Sequence, residues 1–357
     1  MPEFYPLKVK EVYKNTSDCS VVTFAVPEKL HSAFNFKQGQ YLTLRKDIND
    51  QDIRRSYSLC SSPFESEWKV AIKQIPGGLF STYANEELKT GDTLQVMPPG
   101  GTFGIECEPE KEKSYAFFAA GSGITPVISM IKAHLHSEPK STCKLFYVNR
   151  TAKSIIFKEE LEQLRNIYFG RLEIFYFLTK EQRDIDLFNG RFDEEKMDVI
   201  TRMFLDVVNT DAVFLCGPEK MVHFVSDFLV EKGLPKENVH FELFVTGLSE
   251  EDKARAERLA QQNIEGTEVV LVDGGKEFAF TMTNEYTNIL DAALGAGMDL
   301  PYACKGGVCS TCKCKVVEGT IEMMLNYCLE DHELEQNLVL SCQSVPTSEK
   351  VRVDFDV

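Results

Sequence analysis

The chain has no run of eighteen apolar residues, so no stretch is expected to cross a bilayer as a helix. Its opening, MPEFYPLKVKEVYK, alternates and carries charge, with no apolar centre. No secretory leader is therefore expected, and the cytoplasm is the expected location. Basic charge is in short supply. Thirty-nine Lys and Arg stand against 55 Asp and Glu, a net charge of −16. That balance argues against nucleic acid as a partner, because phosphate contacts need clustered cations. Histidine is sparse, six residues in all. No H-E-x-x-H and no Rieske-type Cys-x-His pair occurs, and His134 and His136, two apart, do not share a helix face. No Ser–His–Asp order, paired carboxylate, internal repeat or low-complexity tract stands out.

Cysteine, by contrast, is plentiful: eleven in a chain with no export signal, which favours metal binding and reduced thiols over disulfides. The stretch Tyr302 to Cys312, YACKGGVCSTC, places Cys304, Cys309 and Cys312 in a C-x4-C-x2-C spacing. Cys342 follows, with 29 residues between it and Cys312. This is the plant-type [2Fe–2S] arrangement, three thiolates on one loop and a fourth from a distant segment. Two bridged irons need four soft ligands converging from two sides. Gly306 and Gly307 allow the loop to wrap closely with its amides aimed at sulfur. A zinc site is the competing reading, but zinc sites show paired C-x2-C hooks or histidine partners, and His332, the histidine nearby, fits no such spacing. Cys314 and Cys328 fall outside the ligand spacing and read as packed small hydrophobes.

At 357 residues, with 43% hydrophobic and 26% charged residues, two or three soluble globular domains are expected. From residue 1 to 108 the runs LKVKEV, SVVTFAV, QYLTLR, YSLC, WKVAIKQI and TLQVM predict short strands of a small antiparallel barrel. From 113 to 246 strands alternate with helices: YAFFAA, PVISMIKAHL, CKLFYVNR, FKEELEQLRNIY, LEIFYFLT, AVFLCGP, PEKMVHFVSDFLVEKG and VHFELF. That alternation predicts an α/β doubly wound parallel sheet. Residues 247–266 are polar and lack an apolar stripe, so they read as a tether, with a short solvated helix as the alternative. Residues 267–357 open with a hairpin at Asp273-Gly274-Gly275 and a glycine-closed helix, NILDAALGAG. This last domain carries fifteen acidic against six basic residues, a net of −9. It could steer toward a basic patch on a partner, or serve solubility alone.

Three short motifs accompany this layout. Arg55 to Ser58, RSYS, sits at the start of a predicted strand after the charged turn DINDQDIRR. Ile75 to Thr82, IPGGLFST, offers glycine amides and hydroxyls that could cradle a phosphate at a helix start. Gly121 to Pro126, GSGITP, lies directly after a strand and before a helix, where glycines permit a tight turn and the helix N-terminus favours an anion. A merely structural turn remains the alternative on that motif alone. Cys216-Gly217-Pro218 ends another parallel strand, so two turns could face one pocket.

Barrel with RSYS, then GSGITP, then CGP, then the plant-type cysteine loop resembles the ferredoxin–NADP⁺ reductase family across essentially the whole chain. More narrowly it is similar to the flavin and iron–sulfur reductases of multicomponent bacterial oxygenases. FAVPEKL, GQYLTLR, RRSYSLCSSP, NYCLE, LSCQ and the closing VDFD are most similar to the reductases of phenylacetyl-CoA epoxygenases. Reductases of steroid-hydroxylating oxygenases share the same domain order. The resemblance implies an FAD-binding barrel, an NAD(P)-binding α/β domain and a β-grasp ferredoxin of α+β class. Electrons would pass from NAD(P)H through FAD and the cluster to an oxygenase, a diiron epoxidase of phenylacetate catabolism above all. A Rieske-type steroid or aromatic-ring oxygenase as acceptor, a free-standing diaphorase and a plain electron carrier are the rival readings. The acceptor is expected to dock on the acidic ferredoxin domain, and the chain by itself is expected to be a monomer.

Residue by residue, the same resemblance implies that Arg55 pairs with the FAD pyrophosphate, Tyr57 stacks on the isoalloxazine and Ser58 hydrogen-bonds near its N5. Ile72, Lys73 and Gln74 would run beside the flavin, and Gly78, Leu79 and Ser81 would close on the FAD phosphates. Gly121, Gly123, Thr125 and Pro126 would hold the nicotinamide nucleotide, with Cys216 and Gly217 near its ring. Glu242 and Phe244, in HFELF, match the flavin edge; a core strand end is the alternative. Tyr57, Ser58, Cys216 and Glu242 are thus the expected catalytic set. Arg150, with Thr151, Lys153 and Ser154, could cradle a 2′-phosphate, and no acid in that turn suits a free ribose diol, which favours NADPH. A solvated loop is the alternative there.

Overall fold

The structure is a computed structural model that describes residues 3–244, 250–262 and 264–357. Contacts divide the chain into two units. The larger holds Tyr5–Ile53 with Tyr57–Phe244, and the smaller gathers the C-terminal residues with Arg54–Ser56 and the N-terminal end.

In the larger unit the barrel is formed by β1 (Tyr5–Thr16), β2 (Cys19–Ala25), β3 (Tyr41–Ile48), β4 (Gln51–Ser58), β5 (Trp68–Lys73) and, after helix α1 (Leu79–Glu86), β6 (Thr93–Val96). Alternation sets the inward face: Leu7 and Val9 are buried while Lys8 and Lys10 between and beyond them are exposed. The strands lie in the order β4-β3-β6-β1-β2-β5. An antiparallel bridge from Leu59 to Val70 joins the two ends of that order, and the barrel closes. The RSYS motif occupies the end of β4, not the start of a strand. Asn49 and Asp50, both at positive φ (52° and 59°), make a two-residue turn between β3 and β4, so the charged stretch before RSYS is itself strand.

The α/β part runs β7 (Ser114–Ala120), α2 (Ile124–Ser137), β8 (Thr142–Asn149), α3 (Lys158–Ile167), β9 (Leu172–Leu178), α4 (Glu194–Met203), β10 (Ala212–Gly217), α5 (Glu219–Glu231) and β11 (Val239–Leu243). All five strands are parallel, in the order β11-β10-β7-β8-β9. Continuous apolar strands such as AVFLCG and SYAFFAA follow from burial on both faces. The strand order reverses between β7 and β10, so the turns after these two strands flank the crevice where α/β sheets bind ligands. Helix α4, which no sequence expectation covers, is capped by the Asp193 carboxylate, which accepts the Lys196 amide, and buries only Met197 and Ile200.

The smaller unit contains α6 (Glu250–Ala260), β12 (Glu268–Asp273), β13 (Lys276–Thr281), α7 (Ile289–Gly295), β14 (Lys313–Glu318), β15 (Ile321–Met323), α8 (Asp331–Glu335), β16 (Leu338–Leu340), β17 (Ser344–Pro346) and β18 (Lys350–Asp354). Its main sheet has the order β13-β12-β18-β14-β16, with β12 and β18 parallel and the other pairs antiparallel, a β-grasp arrangement. The expected hairpin is β12–β13, turned by Gly274 and Gly275. Helix α7 starts at Asn288, whose side chain accepts the Asp291 amide. The stretch 247–266 differs from a bare tether. Its residues 250–260 are helical, and Leu259 and Ile264 are buried in the same core as Val269, Leu290 and Val351. Residues 247–249 and 263 lie outside the described residues.

Candidate functional site

The four cysteines of the spacing motif converge. Cys309 donates its thiol proton to the Cys304 sulfur 3.1 Å away. That bond, with the amides of Gly306, Val308 and Cys309, outweighs burial and lowers the Cys304 thiol below its usual value. Cys342 is lowered in the same way by the Cys312 thiol, helped by Gln343 and by the Gly307 amide. Lys305 and Gly307 both lie at positive φ (51° and 74°), which turns the loop so that its amides point at sulfur. A ring of four thiols, two of them predisposed to ionise and ringed by N–H donors, is the donor set a bridged iron pair needs. Neither Cys314, wholly buried, nor Cys328, packed at the core's margin, joins it.

At the barrel, Tyr57 is half-buried with its ring 5.7 Å from that of Phe80 on α1. Ser58, the next residue, is buried and donates its hydroxyl to Glu242 Oε2 at 3.3 Å. Burial pushes the Glu242 carboxyl up to about 7, opposed by that hydrogen bond. Glu242 is paired in register with Cys216, whose thiol is held well above its usual value by burial and by the Glu242 charge. The Cys216 thiol is thus kept in its neutral form where it lines the crevice.

Gly123 meets the same place from α2: a Cβ there would lie 2.1 Å from the Cys216 carbonyl oxygen. Gly121, at φ 55°, is held by Tyr147, whose hydroxyl donates to its carbonyl at 2.8 Å. Lys73 Nζ lies 3.8 Å from where a Gly121 Cβ would be, so β5 of the barrel reaches the turn before α2. Ser58, Lys73, Gly121, Gly123, Cys216, Gly217 and Glu242 thus lie together, and Phe244 joins them by donating its amide to Gly217 O at 3.1 Å. Thr125 and Pro126 are buried in the first turn of α2, with the Thr125 hydroxyl on Ser122 O at 3.0 Å.

Other expected residues are turned to local work. The Ser81 hydroxyl donates to Gly78 O and accepts from the Ile75 amide, both at 3.2 Å, so it shapes the α1 start. What that turn offers an anion is the first-turn amides of the helix behind Gly78, with Leu79 exposed beside them. Ile72 is core, and its carbonyl accepts from Asn85 at 2.9 Å. Gln74 donates to Glu86 at 2.7 Å. Arg55 is exposed, with one guanidinium nitrogen on Arg54 O at 2.7 Å.

Away from this group, Ser154 and Thr151 close a small box on each other, at 2.8 and 3.0 Å. Arg150 and Lys153 beside it are exposed. The turn itself contains no acid, yet Glu181, which follows β9, brings its carboxylate to the Ala152 amide at 2.8 Å. Nothing local in the sequence signals that approach, since it depends on β8 and β9 being parallel neighbours.

Comparisons with known proteins fit this geometry. Residues 6–105 match the family described as Oxidoreductase FAD-binding domain, 117–227 match Oxidoreductase NAD-binding domain, and 271–347 match 2Fe-2S iron-sulfur cluster binding domain. The chain is 40% identical to one of the subunits of 1,2-phenylacetyl-CoA epoxidase from Escherichia coli (strain K12), over 100% of this chain and 99% of that one. It is 32% identical to the ferredoxin reductase component of 3-ketosteroid-9-alpha-monooxygenase of Rhodococcus rhodochrous, over 98% and 96%. Among solved structures, phthalate dioxygenase reductase shares the fold with a TM-score of 0.60 at 23% identity, covering 99% of this chain and 98% of that one. Among the described residues no helix is long and apolar enough to cross a membrane. With FAD-binding, NAD-binding and 2Fe–2S domains in that order along one polypeptide, the chain belongs to the family of flavin and iron–sulfur oxidoreductases that serve as reductase components of oxygenases.

Proposed function

We propose that this chain takes electrons from NADPH and delivers them singly to the oxygenase component that epoxidises phenylacetyl-CoA. The observation that supports this best is the full-length 40% identity to a phenylacetyl-CoA epoxidase component, combined with a complete four-thiol ring in the last domain. Bound in these sites, FAD supplies the change from two-electron to one-electron transfer and the cluster a one-electron relay.

The chain's own residues position and insulate. Tyr57 offers its ring for the flavin to stack on, and Ser58 offers a hydroxyl at the ring edge. Glu242 holds that hydroxyl in place and, with a carboxyl titrating at about 7, can carry a proton at Oε2. Arg55 and the first-turn amides of α1 neutralise pyrophosphate. The GSGITP turn and the Cys216–Gly217 backbone admit the nicotinamide closely, because no side chain stands between Gly123 and Cys216. Arg150 and Lys153 make no ion pair among the described residues, whereas Glu181 is engaged by the Ala152 amide, an arrangement that favours the 2′-phosphate of NADPH. Ser154 shapes that loop. The acidic C-terminal domain, net −9 from residue 267 on, suits a basic docking face on the oxygenase.

An anaerobic NADPH titration followed by absorption spectroscopy tests the wiring: flavin bleaching and cluster reduction should both appear without a partner present. Coupled turnover with purified phenylacetyl-CoA epoxidase, against a Rieske ketosteroid oxygenase as control, tests the acceptor. Equal or faster turnover with the Rieske enzyme refutes the epoxidase assignment.

A further inference from the structure

We propose that Cys107, His134 and Glu138 form a binding site for a zinc-class divalent ion, separate from the cluster ring. His134 and Glu138 stand one turn apart at the end of α2, and Cys107 comes from the connector that follows the barrel. One donor atom from each lies within 4.8 Å of the other two. Cys107 Sγ is 3.6 Å from His134 Nδ1, and that nitrogen is 3.0 Å from Glu138 Oε1. A tetrahedral zinc with Zn–S near 2.3 Å and Zn–N or Zn–O near 2.0–2.1 Å spaces its sulfur and nitrogen by roughly 3.6 Å and its nitrogen and oxygen by roughly 3.3 Å. Thiolate, imidazole and carboxylate together suit zinc and exclude the oxygen-seeking calcium and magnesium.

The surroundings are built to hold these groups. Tyr115 donates its hydroxyl to both Glu138 oxygens, at 3.1 and 3.0 Å, and the Glu108 amide donates to Oε1 at 2.9 Å. Such outer partners fix a ligating carboxylate. Bonds from Tyr115, the Glu108 amide and His134 hold this carboxyl in one orientation, facing Cys107. Gln38 donates to the Cys107 sulfur at 3.4 Å. His134 and Glu138 are wholly buried, whereas Cys107 is partly exposed and gives the ion a way in.

Nδ1 faces the Cys107 sulfur and a Glu138 oxygen together, as a nitrogen sharing one ion with both would. Binding balances simply: the Cys107 thiol releases one proton to solvent, the Nδ1 proton moves to Nε2, and Glu138 enters as a carboxylate. The ion would clip the connector at residue 107 to α2.

The test is metal analysis of the holoprotein, loaded with zinc and then dialysed against a weak chelator. Two irons and one zinc per chain are expected, with a zinc-edge X-ray absorption spectrum showing a single sulfur neighbour. Cys107→Ala should keep both irons and the flavin and lose the zinc. That substitution is the decisive one, because Glu138 also anchors Tyr115. Holoprotein that retains no zinc beyond the Cys107→Ala level, or a variant that keeps the zinc, overturns the proposal.

Discussion

Replacing Gly123 with alanine adds one methyl group at the point where α2 meets β10. The new Cβ would lie 2.1 Å from the Cys216 oxygen, 2.5 Å from its carbonyl carbon and 3.0 Å from the Gly217 nitrogen. These are backbone atoms of a central parallel strand, not the tips of flexible side chains. Gly123 has φ −61°, a conformation alanine adopts freely, so the whole effect is steric. Relief requires the strand end and the helix start to part by more than an ångström. Overpacking of this kind costs about 3 kcal/mol, the upper end of the usual range. For a unit of this size that corresponds to a fall in Tm of roughly 6–12 °C. The same displacement moves the Cys216–Gly217 backbone away from the proposed nicotinamide position, and an ångström of misplacement can lower kcat/KM on the order of a hundredfold. Thermal melting followed by flavin fluorescence, with NADPH-dependent dye reduction at the same protein concentration, reads both quantities. Gly100→Ala is the control: the nearest atoms its Cβ would meet are those of the Tyr41 phenol at 3.7 Å, an ordinary contact. A Gly123→Ala protein that melts with wild type and keeps its kcat/KM for NADPH would show that the two turns do not share a nicotinamide site.

Three other outcomes are expected. Cys309→Ser should abolish electron delivery to a one-electron protein acceptor while flavin reduction by NADPH survives; loss of both, with soluble protein intact, contradicts the serial path. Glu242 has a carboxyl raised from 4.5 to about 7, so its burial costs nothing below the unfolded value, and the cost grows as pH rises to about 7 and is constant above it. Discounted for its partial exposure, that cost is about 2 kcal/mol. Wild type should therefore lose that much stability relative to Glu242→Gln between pH 4.5 and 7, and parallel denaturant curves across that range would disprove the assigned environment. Neutralising Glu181 as Glu181→Gln removes a negative charge from the loop beside Arg150, so KM for NADPH should fall roughly several-fold with KM for NADH unchanged or raised. Steady-state kinetics with both donors decides it.

Local chemistry is legible in the sequence and long-range approach is not. Three cluster cysteines lie within nine residues, and their spacing carries the ligand geometry almost unaided. The GSGITP turn is legible because its neighbours, SYAFFAA and a nearly all-buried helix, have unmistakable periods. Helix α4 escapes notice because two buried side chains make too faint a stripe. The place of RSYS at the end of β4 differs from the expected strand start because Asn49 and Asp50 turn the chain in two residues, leaving the charged DIRR as strand. Glu181 at the 151–154 loop and the inward hydroxyl of Ser81 depend on packing that no spacing encodes.

The helix that precedes the iron–sulfur domain carries a consequence for anyone who would cut or recombine these proteins. Leu259 and Ile264 sit inside the last domain's core, upstream of the residues that match the iron–sulfur family. A fragment started at Thr267 would leave two holes, each worth about 2–5 kcal/mol by analogy with large-to-alanine changes. A portable electron-transfer cassette from this chain must therefore begin before Glu250, and chimeras joined at the family boundary should shed their irons on warming sooner than the parent.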